Sequence, residues 1–257
     1  MPADGDRQRE ALIDTARFAA QARALEGRRR DALIIDPVAK VFGGPKATHA
    51  LAALNATPTV ALVALRARWL DEWIVSHASS LSGVVALGVG FDARPLRISV
   101  PELCWIEVDF PEVFAEKSRA LERLGQSYPR TEIAGSILHD EVLAQALELP
   151  RKSAGAGWCV LLEGVVGYLS RAQVRQVFER FADWAPQATV LFDVPSAAPP
   201  PGAARILPPF PTLSADIGEL CERWELEERF REEKVAWAPQ RHELEGGAGL
   251  YVARLRG

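Results

Sequence analysis

The chain has 257 residues, of which 48% are hydrophobic and 25% charged, with a formal net charge of −4. Such a composition suits a globular α/β protein, and its mild negative charge gives no wholesale attraction for nucleic acid or an anionic membrane. No apolar run approaches the roughly 18 residues that a membrane span requires.

The first elements are helical. From Asp6 to about Glu26 apolar residues recur at Ala11, Leu12, Phe18, Ala19, Ala22 and Leu25, the spacing of an amphipathic helix. In DALIIDPVAKVFGG, Pro37 can open a short helix and Gly43-Gly44 can end it. A second long helix is expected over about 59–77, with Leu62, Leu65, Trp69, Leu70 and Trp73 on its buried side. These segments precede the first convincing strand and are read as an N-terminal helical cap, residues 1–80, of a single domain whose core is 81–257. The N-terminus lacks the pattern of a secretory signal. Cys104, Cys159 and Cys221 show neither CxxC spacing nor a metal-ligand set, so no metal is expected and a cytoplasmic location is.

After residue 83 the pattern alternates. VVALGV, CWIEVDF, EIAGSIL, GWCVLLEG and ATVLFDV have strand length and composition. Between them lie helical stretches, around RPLRI and then in PEVFAEKSRALERLG, DEVLAQALEL and SRAQVRQVFERFADWA. Strands alternating with helices predict a doubly wound, mostly parallel sheet. TLSADIGELCERW reads as a helix, and ELEERFREEK and GLYVARLRG as an antiparallel closing hairpin, giving seven strands. The proline-rich stretch 196–211 is either a stiff lid over the ligand crevice or a connecting loop.

The chemistry concentrates in GVVALGVGFDARPLRI, residues 83–98. Gly88 and Gly90 directly follow an apolar run, which suits a sharp turn with a ligand against the backbone. Asp109 ends the next strand near the spacing at which an acid accepts from a ribose hydroxyl pair. Glu107 is the alternative. Both NAD and S-adenosylmethionine carry such a ribose. Asp92 separates them: a carboxylate two residues past Gly90 would repel a pyrophosphate over a helix N-terminus, whereas it suits a ligand carrying an ammonium and a sulfonium. The cofactor expected is therefore S-adenosylmethionine.

The segments LGVGFDARPLRI, WIEVDFPEVFAEK and LLEGVVGYLSRAQV, with TARFAAQARALEGRRRDALIIDPVAKVF upstream, resemble the leucine carboxyl methyltransferase family, which includes bacterial polyketide O-methyltransferases. That resemblance implies a class I S-adenosylmethionine-dependent O-methyltransferase with a small-molecule or peptide acceptor. It places Arg66 of VALRARWLDEW on the cofactor's carboxylate, with Arg68 as fallback, because a guanidinium pairs bidentately with a carboxylate. It also puts Gly88 under the cofactor, Asp109 on the ribose and Glu163 near the ammonium and sulfonium; Tyr168, which follows in the motif, either faces the acceptor or packs in the core. Where the family has an Asp-Leu-Arg-like stretch at the adenine, this chain has Ser136-Ile137, with Asp140 a turn away as a substitute acid.

A carboxylate acceptor is ionised at neutral pH, whereas a phenol profits from a base. His49, His77, His139 and His242 belong to no motif, which favours a carboxylate or an acidic phenol. Two other classes stay open: an NAD-dependent oxidoreductase, and a non-catalytic relative acting as an interaction protein.

Overall fold

A computed structural model describes residues 4–53, 57–153, 157–196, 198, 207–228 and 248–256. Its centre is a seven-stranded sheet in the order β3-β2-β1-β4-β5-β7-β6. The strands are β1 Leu81–Leu87, β2 Cys104–Asp109, β3 Thr131–Ala134, β4 Gly157–Leu162, β5 Thr189–Pro195, β6 Trp224–Glu228 and β7 Ala248–Leu255. The first five pair in parallel, and β7 runs antiparallel to both β5 and β6. All seven expected strands are present, with β7 inserted between β5 and β6.

The inner strands are apolar on both faces, as a covered parallel sheet requires. Val85, Leu87, Val160 and Phe192 point into one core with Val174, Phe178 and Phe181 of α7 (Arg171–Trp184). Val84, Ala86, Cys159 and Leu161 point into the other, which Leu65, Trp69, Leu70 and Ile74 of α3 (Thr57–His77) fill. Each fully buried Leu, Ile or Phe contributes roughly 1.5–3 kcal/mol of transfer free energy. Thus α3, which precedes β1 in the chain, covers a face of the sheet. The helix α1 (Asp4–Glu26) lies against α2 (Lys40–Ala53) and α3.

Three local expectations are corrected. Gly43-Gly44 does not end α2: Gly44 adopts φ 71° and kinks it, and Pro45 begins the second segment, where its missing N–H costs nothing. The segment around RPLRI is a three-residue 3-10 turn, Arg94–Leu96, because Arg94 and Arg97 are drawn into buried ion pairs. TLSADIGELCERW holds only a 3-10 turn, Ser214–Asp216, and the four-residue α8 Ile217–Leu220. Trp224 is instead buried against Phe178 at the start of β6. The remaining helices are α4 Pro111–Arg123, α5 Asp140–Ala146 and α6 Glu148–Lys152. Residues 229–234 of the expected sixth strand lie outside the described residues, as does His242.

From β1 the chain steps outward through β2 and β3, then returns to place β4 on the other side of β1. Such a reversal opens a crevice at the carboxyl ends of the strands. No helix among the described residues is long and apolar enough to cross a membrane.

Candidate functional site

A cavity of about 490 Å³ occupies that crevice. The carboxyl ends of β1, β2, β3, β4 and β5 supply Gly88, Asp109, Ser136, Glu163 and Asp193 to its wall, α3 supplies Arg66, and α1 roofs it with Leu12, Thr15, Ala16 and Ala19. Arg66, Gly88, Gly90, Asp109, Ser136, Ile137, Glu163 and Tyr168 all line it.

The glycine turn is pinned by β2. Gly88 N–H donates to Val108 O at 2.8 Å, and Gly90 N–H to Asp109 Oδ2 at 2.6 Å. Gly88 and Gly90 have φ of 63° and 54°, a conformation that favours glycine. A Cβ on Gly88 would lie 2.8 Å from Val165 Cγ2, and one on Gly90 3.0 Å from the Ala16 Cβ. Asp109 Oδ1 accepts from Phe110 N–H at 2.7 Å, so the acid is clamped by two amides and still faces the cavity. Burial pushes its pKa up, and those two amides pull it partly back. Glu107 does not compete. It is buried against Lys117 Nζ at 2.8 Å and the Tyr128 hydroxyl at 2.8 Å, and lies outside the cavity.

β3 ends at Ala134, one residue before Gly135 at φ 154°, so Ser136 and Ile137 belong to a loop and not to a longer strand. Asp140 does not substitute for an adenine-binding acid: it is held at the surface by Arg180, 2.7 Å away, and does not line the cavity. Arg68 likewise pairs with Glu72 at 2.8 Å outside it.

Arg66 Nε donates to Glu163 Oε1 at 3.1 Å and Nη1 to Asp193 Oδ2 at 3.0 Å. Asp193 Oδ1 accepts from Gly164 N–H at 2.6 Å, tying β5 to the turn that carries Glu163. Arg94 Nη2 donates to Glu163 Oε2. Burial alone would raise the Glu163 pKa, but Arg94 and Arg66 reverse it and hold the carboxyl below its usual range.

Asp92 lines the cavity, but its charge is not directed at a ligand. Arg97 Nη1 lies 2.5 Å from Oδ1 and Arg94 Nε 3.2 Å from Oδ2. Repulsion by Asp92 is therefore the wrong reason to exclude a dinucleotide. The better one is that a 3-10 turn of three residues, and no α-helix, follows the glycines before β2. A pyrophosphate would lack the aligned amides of a helix N-terminus.

Sequence reasoning missed Asp193, Arg94, Arg97 and Arg23. Asp193 had a signal, being an acid at a strand's carboxyl end, as Asp109 and Glu163 are. The arginines had none, since a guanidinium in a loop looks the same whether buried or solvated. Among the described residues no histidine lines the cavity: His49 and His139 are exposed, and His77 stacks on Trp73. Tyr168 packs edge-on against Phe210, ring centroids 5.3 Å apart. Burial pushes its phenol pKa up, partly offset by Thr15, so it is a poor acid and its anion is disfavoured. Leu62, Val63 and Leu207 continue this apolar end.

A sheet of this order with a glycine turn and three acids at its carboxyl edge defines a class I methyltransferase-like fold. The sequence model of the leucine carboxyl methyltransferase family matches residues 16–182, and the chain belongs to that family. It is 30% identical to the tetracenomycin polyketide synthesis O-methyltransferase TcmP of Streptomyces glaucescens, over 67% of this chain and 62% of that one. A protein of Mycobacteroides abscessus, assigned provisionally as an S-adenosyl-L-methionine-dependent methyltransferase, is 32% identical over 64% of this chain and 60% of its own. The chain thus spans about three fifths of the length of these curated relatives. A crystal structure from Thermobifida fusca, provisionally assigned as a methyltransferase, superposes with a TM-score of 0.60 at 16% identity, covering 94% of both chains, and attests the fold.

Proposed function

We propose that the chain is an S-adenosylmethionine-dependent O-methyltransferase that methylates a carboxylate or phenolic hydroxyl of a small, natural-product-like molecule or a peptide. The observation that carries this reading is the cavity in which Asp109, Glu163 and Arg66 converge beside the Gly88–Gly90 turn. These residues fit the cofactor group by group. Asp109 is an ionisable acceptor already oriented by two amides, suited to vicinal hydroxyls. Glu163 suits an ammonium. Arg66 uses Nε and Nη1 on its acids, so Nη2 is the nitrogen left to meet a carboxylate, by one nitrogen and not by a two-nitrogen fork. Ser136 and Ile137 would flank the adenine, Ile137 by apolar contact and Ser136 by its hydroxyl. When bound, S-adenosylmethionine supplies a methyl group made electrophilic by the sulfonium that carries it.

The chain's own contribution is then position and exclusion of water. Leu12, Leu62, Leu207, Phe210 and Tyr168 form an apolar end that suits an aromatic or aliphatic acceptor held in line. The cavity wall offers no histidine base among the described residues, and an acceptor already ionised in water requires none. The name of the relative TcmP supports a polyketide-like acceptor. Cys104, Cys159 and Cys221 are free thiols, which suits a reducing cytoplasm.

Calorimetry with S-adenosylhomocysteine and with NAD tests the reading. Saturable binding of the first and none of the second is the expected result. Binding of NAD alone, or of neither, would overturn it.

A further inference from the structure

Glu163 is held from two sides, and one of its holders does not line the cavity. Arg94, 1% exposed, sits behind the glycine turn. Its Nε lies 3.1 Å from Asp71 Oδ1 and 3.2 Å from Asp92 Oδ2, Nη2 donates to Glu163 Oε2, and Nη1 has no hydrogen-bond partner among the described residues. Arg97 bridges Asp71, Asp92 and Asp36 at 2.6, 2.5 and 3.5 Å, and Arg23 reaches Asp36 at 2.8 Å. With Arg66 and Asp193, four guanidiniums and five carboxylates run unbroken from α1 to β5. The excess is one negative charge, and the carboxylates that face the cavity are where a ligand's cation would complete it. Burying ions costs several kcal/mol each before pairing, and well-packed apolar residues commonly serve stability as well or better. The network is therefore poorly explained as a stabiliser of the fold and well explained as a frame for Glu163.

We infer that Arg94 is a positioning residue: acting from behind the cavity wall, it holds the Glu163 carboxylate in place as an anion for the cofactor's ammonium. The inference rests on the cofactor reading above. The charged groups facing Glu163 are Arg66 from α3, Arg94 from the 3-10 turn, Asp92 from the glycine turn, Arg23 from α1 and Asp193 from β5. Arg94 and Arg66 offset the burial of Glu163, and Asp92 and Asp193 oppose them. Removing Arg94, the largest of the opposing charges, leaves Arg66 and the weaker Arg23 against burial and two acids, so Glu163 takes up a proton at higher pH. Protonated, it loses the charge that attracts an ammonium.

The test is calorimetric titration of S-adenosylhomocysteine between about pH 8 and pH 5, with wild type, Arg94→Met and Arg94→Met/Glu163→Gln, and thermal unfolding of each beside it. Comparing variant with wild type at each pH cancels the titration of Asp109, which all three share. The expected result is that Arg94→Met binds more weakly than wild type, and that this deficit grows about tenfold towards the acid end, the equivalent of one pKa unit. In the double variant the deficit is constant with pH, because the titrating carboxyl is gone. A structural role alone predicts a pH-independent deficit in the single variant, or the same pH dependence in both variants through Asp71 and Asp92, and either result overturns the inference. If Arg94→Met does not fold, Arg94→Lys takes its place: one ammonium cannot serve Asp71, Asp92 and Glu163 together, so a smaller acid-side deficit of the same sign is expected, and its absence overturns the inference. Wild type that binds no S-adenosylhomocysteine overturns the cofactor reading and this inference with it, whereas wild type that binds normally beside a flat ratio overturns this inference alone.

Discussion

Replacing Asp109 by alanine perturbs two things that the structure allows to be separated. The carboxylate accepts from Gly90 N–H at 2.6 Å and from Phe110 N–H at 2.7 Å, and it faces the cavity where a ribose would lie. Loss of its hydrogen bonds to two ribose hydroxyls should cost ~1–3 kcal/mol of affinity, net of the water bonds regained. That is a rise of about 5- to 150-fold in the Kd for S-adenosylhomocysteine. Loss of the anchor for Gly90 acts on the free protein, since a buried amide left without a partner costs about 1–3 kcal/mol of stability. Asp109→Asn keeps one carbonyl acceptor and should fall between alanine and wild type in both respects. Calorimetry reads the first effect, and thermal unfolding without ligand reads the second. A lowered Tm with an unchanged Kd would refute the ribose assignment and leave Asp109 as a brace for the glycine turn. Glu107 would not inherit the role, because Lys117 and Tyr128 already hold it away from the cavity.

Arg66→Lys should not preserve binding, because Glu163 Oε1 and Asp193 Oδ2 are reached by different guanidinium nitrogens and one ammonium cannot replace the fork. A loss of about tenfold or more in S-adenosylhomocysteine affinity is expected, and equal binding would make Arg66 a structural residue. Glu163→Gln should weaken S-adenosylmethionine and S-adenosylhomocysteine about equally, since both carry the ammonium; a selective loss of the sulfonium ligand would assign Glu163 to the sulfur instead. Gly88→Ala should lower stability by about 1–2 kcal/mol, because φ is 63° and the new Cβ would lie 2.8 Å from Val165 Cγ2; an unchanged Tm would mean that the turn relaxes freely. Asp92 has its carboxyl held well below the usual range by Arg97 and Arg94 against the opposing effect of burial. A lowered folded-state pKa gives stability that is full above the ordinary carboxylate range and is lost as the pH falls through the folded value. Wild type should therefore exceed Asp92→Asn in Tm near neutrality, and the gap should close on acidification. Asp109 and Asp193 are shifted the opposite way by burial and are common to both proteins, so the gap is the readout. A gap that widens in acid would contradict the sign.

Most of the frame was legible in the chain because local patterns encode it. Apolar runs of strand length marked the first five strands, and the short loop between ELEERFREEK and GLYVARLRG marked the last two as an antiparallel pair. Two glycines after the first strand and acids at the ends of the second and fourth located the crevice, since parallel strands present their carboxyl ends to one edge. What local pattern could not supply was the state of each charge. Asp92 looked like an acid aimed at a ligand, and its partners turned out to be Arg94 and Arg97, which also kept RPLRI from becoming a helix. Arg66 meets Asp193 across 127 residues, and Arg94 meets Glu163 across 69. Asp140, near in sequence to Ser136, was drawn away to Arg180 on the surface. Whether a carboxylate faces a ligand or an arginine depends on which side chains the fold brings within about 3 Å of it, and that distance is set by the packing of α1 and α3 on the sheet.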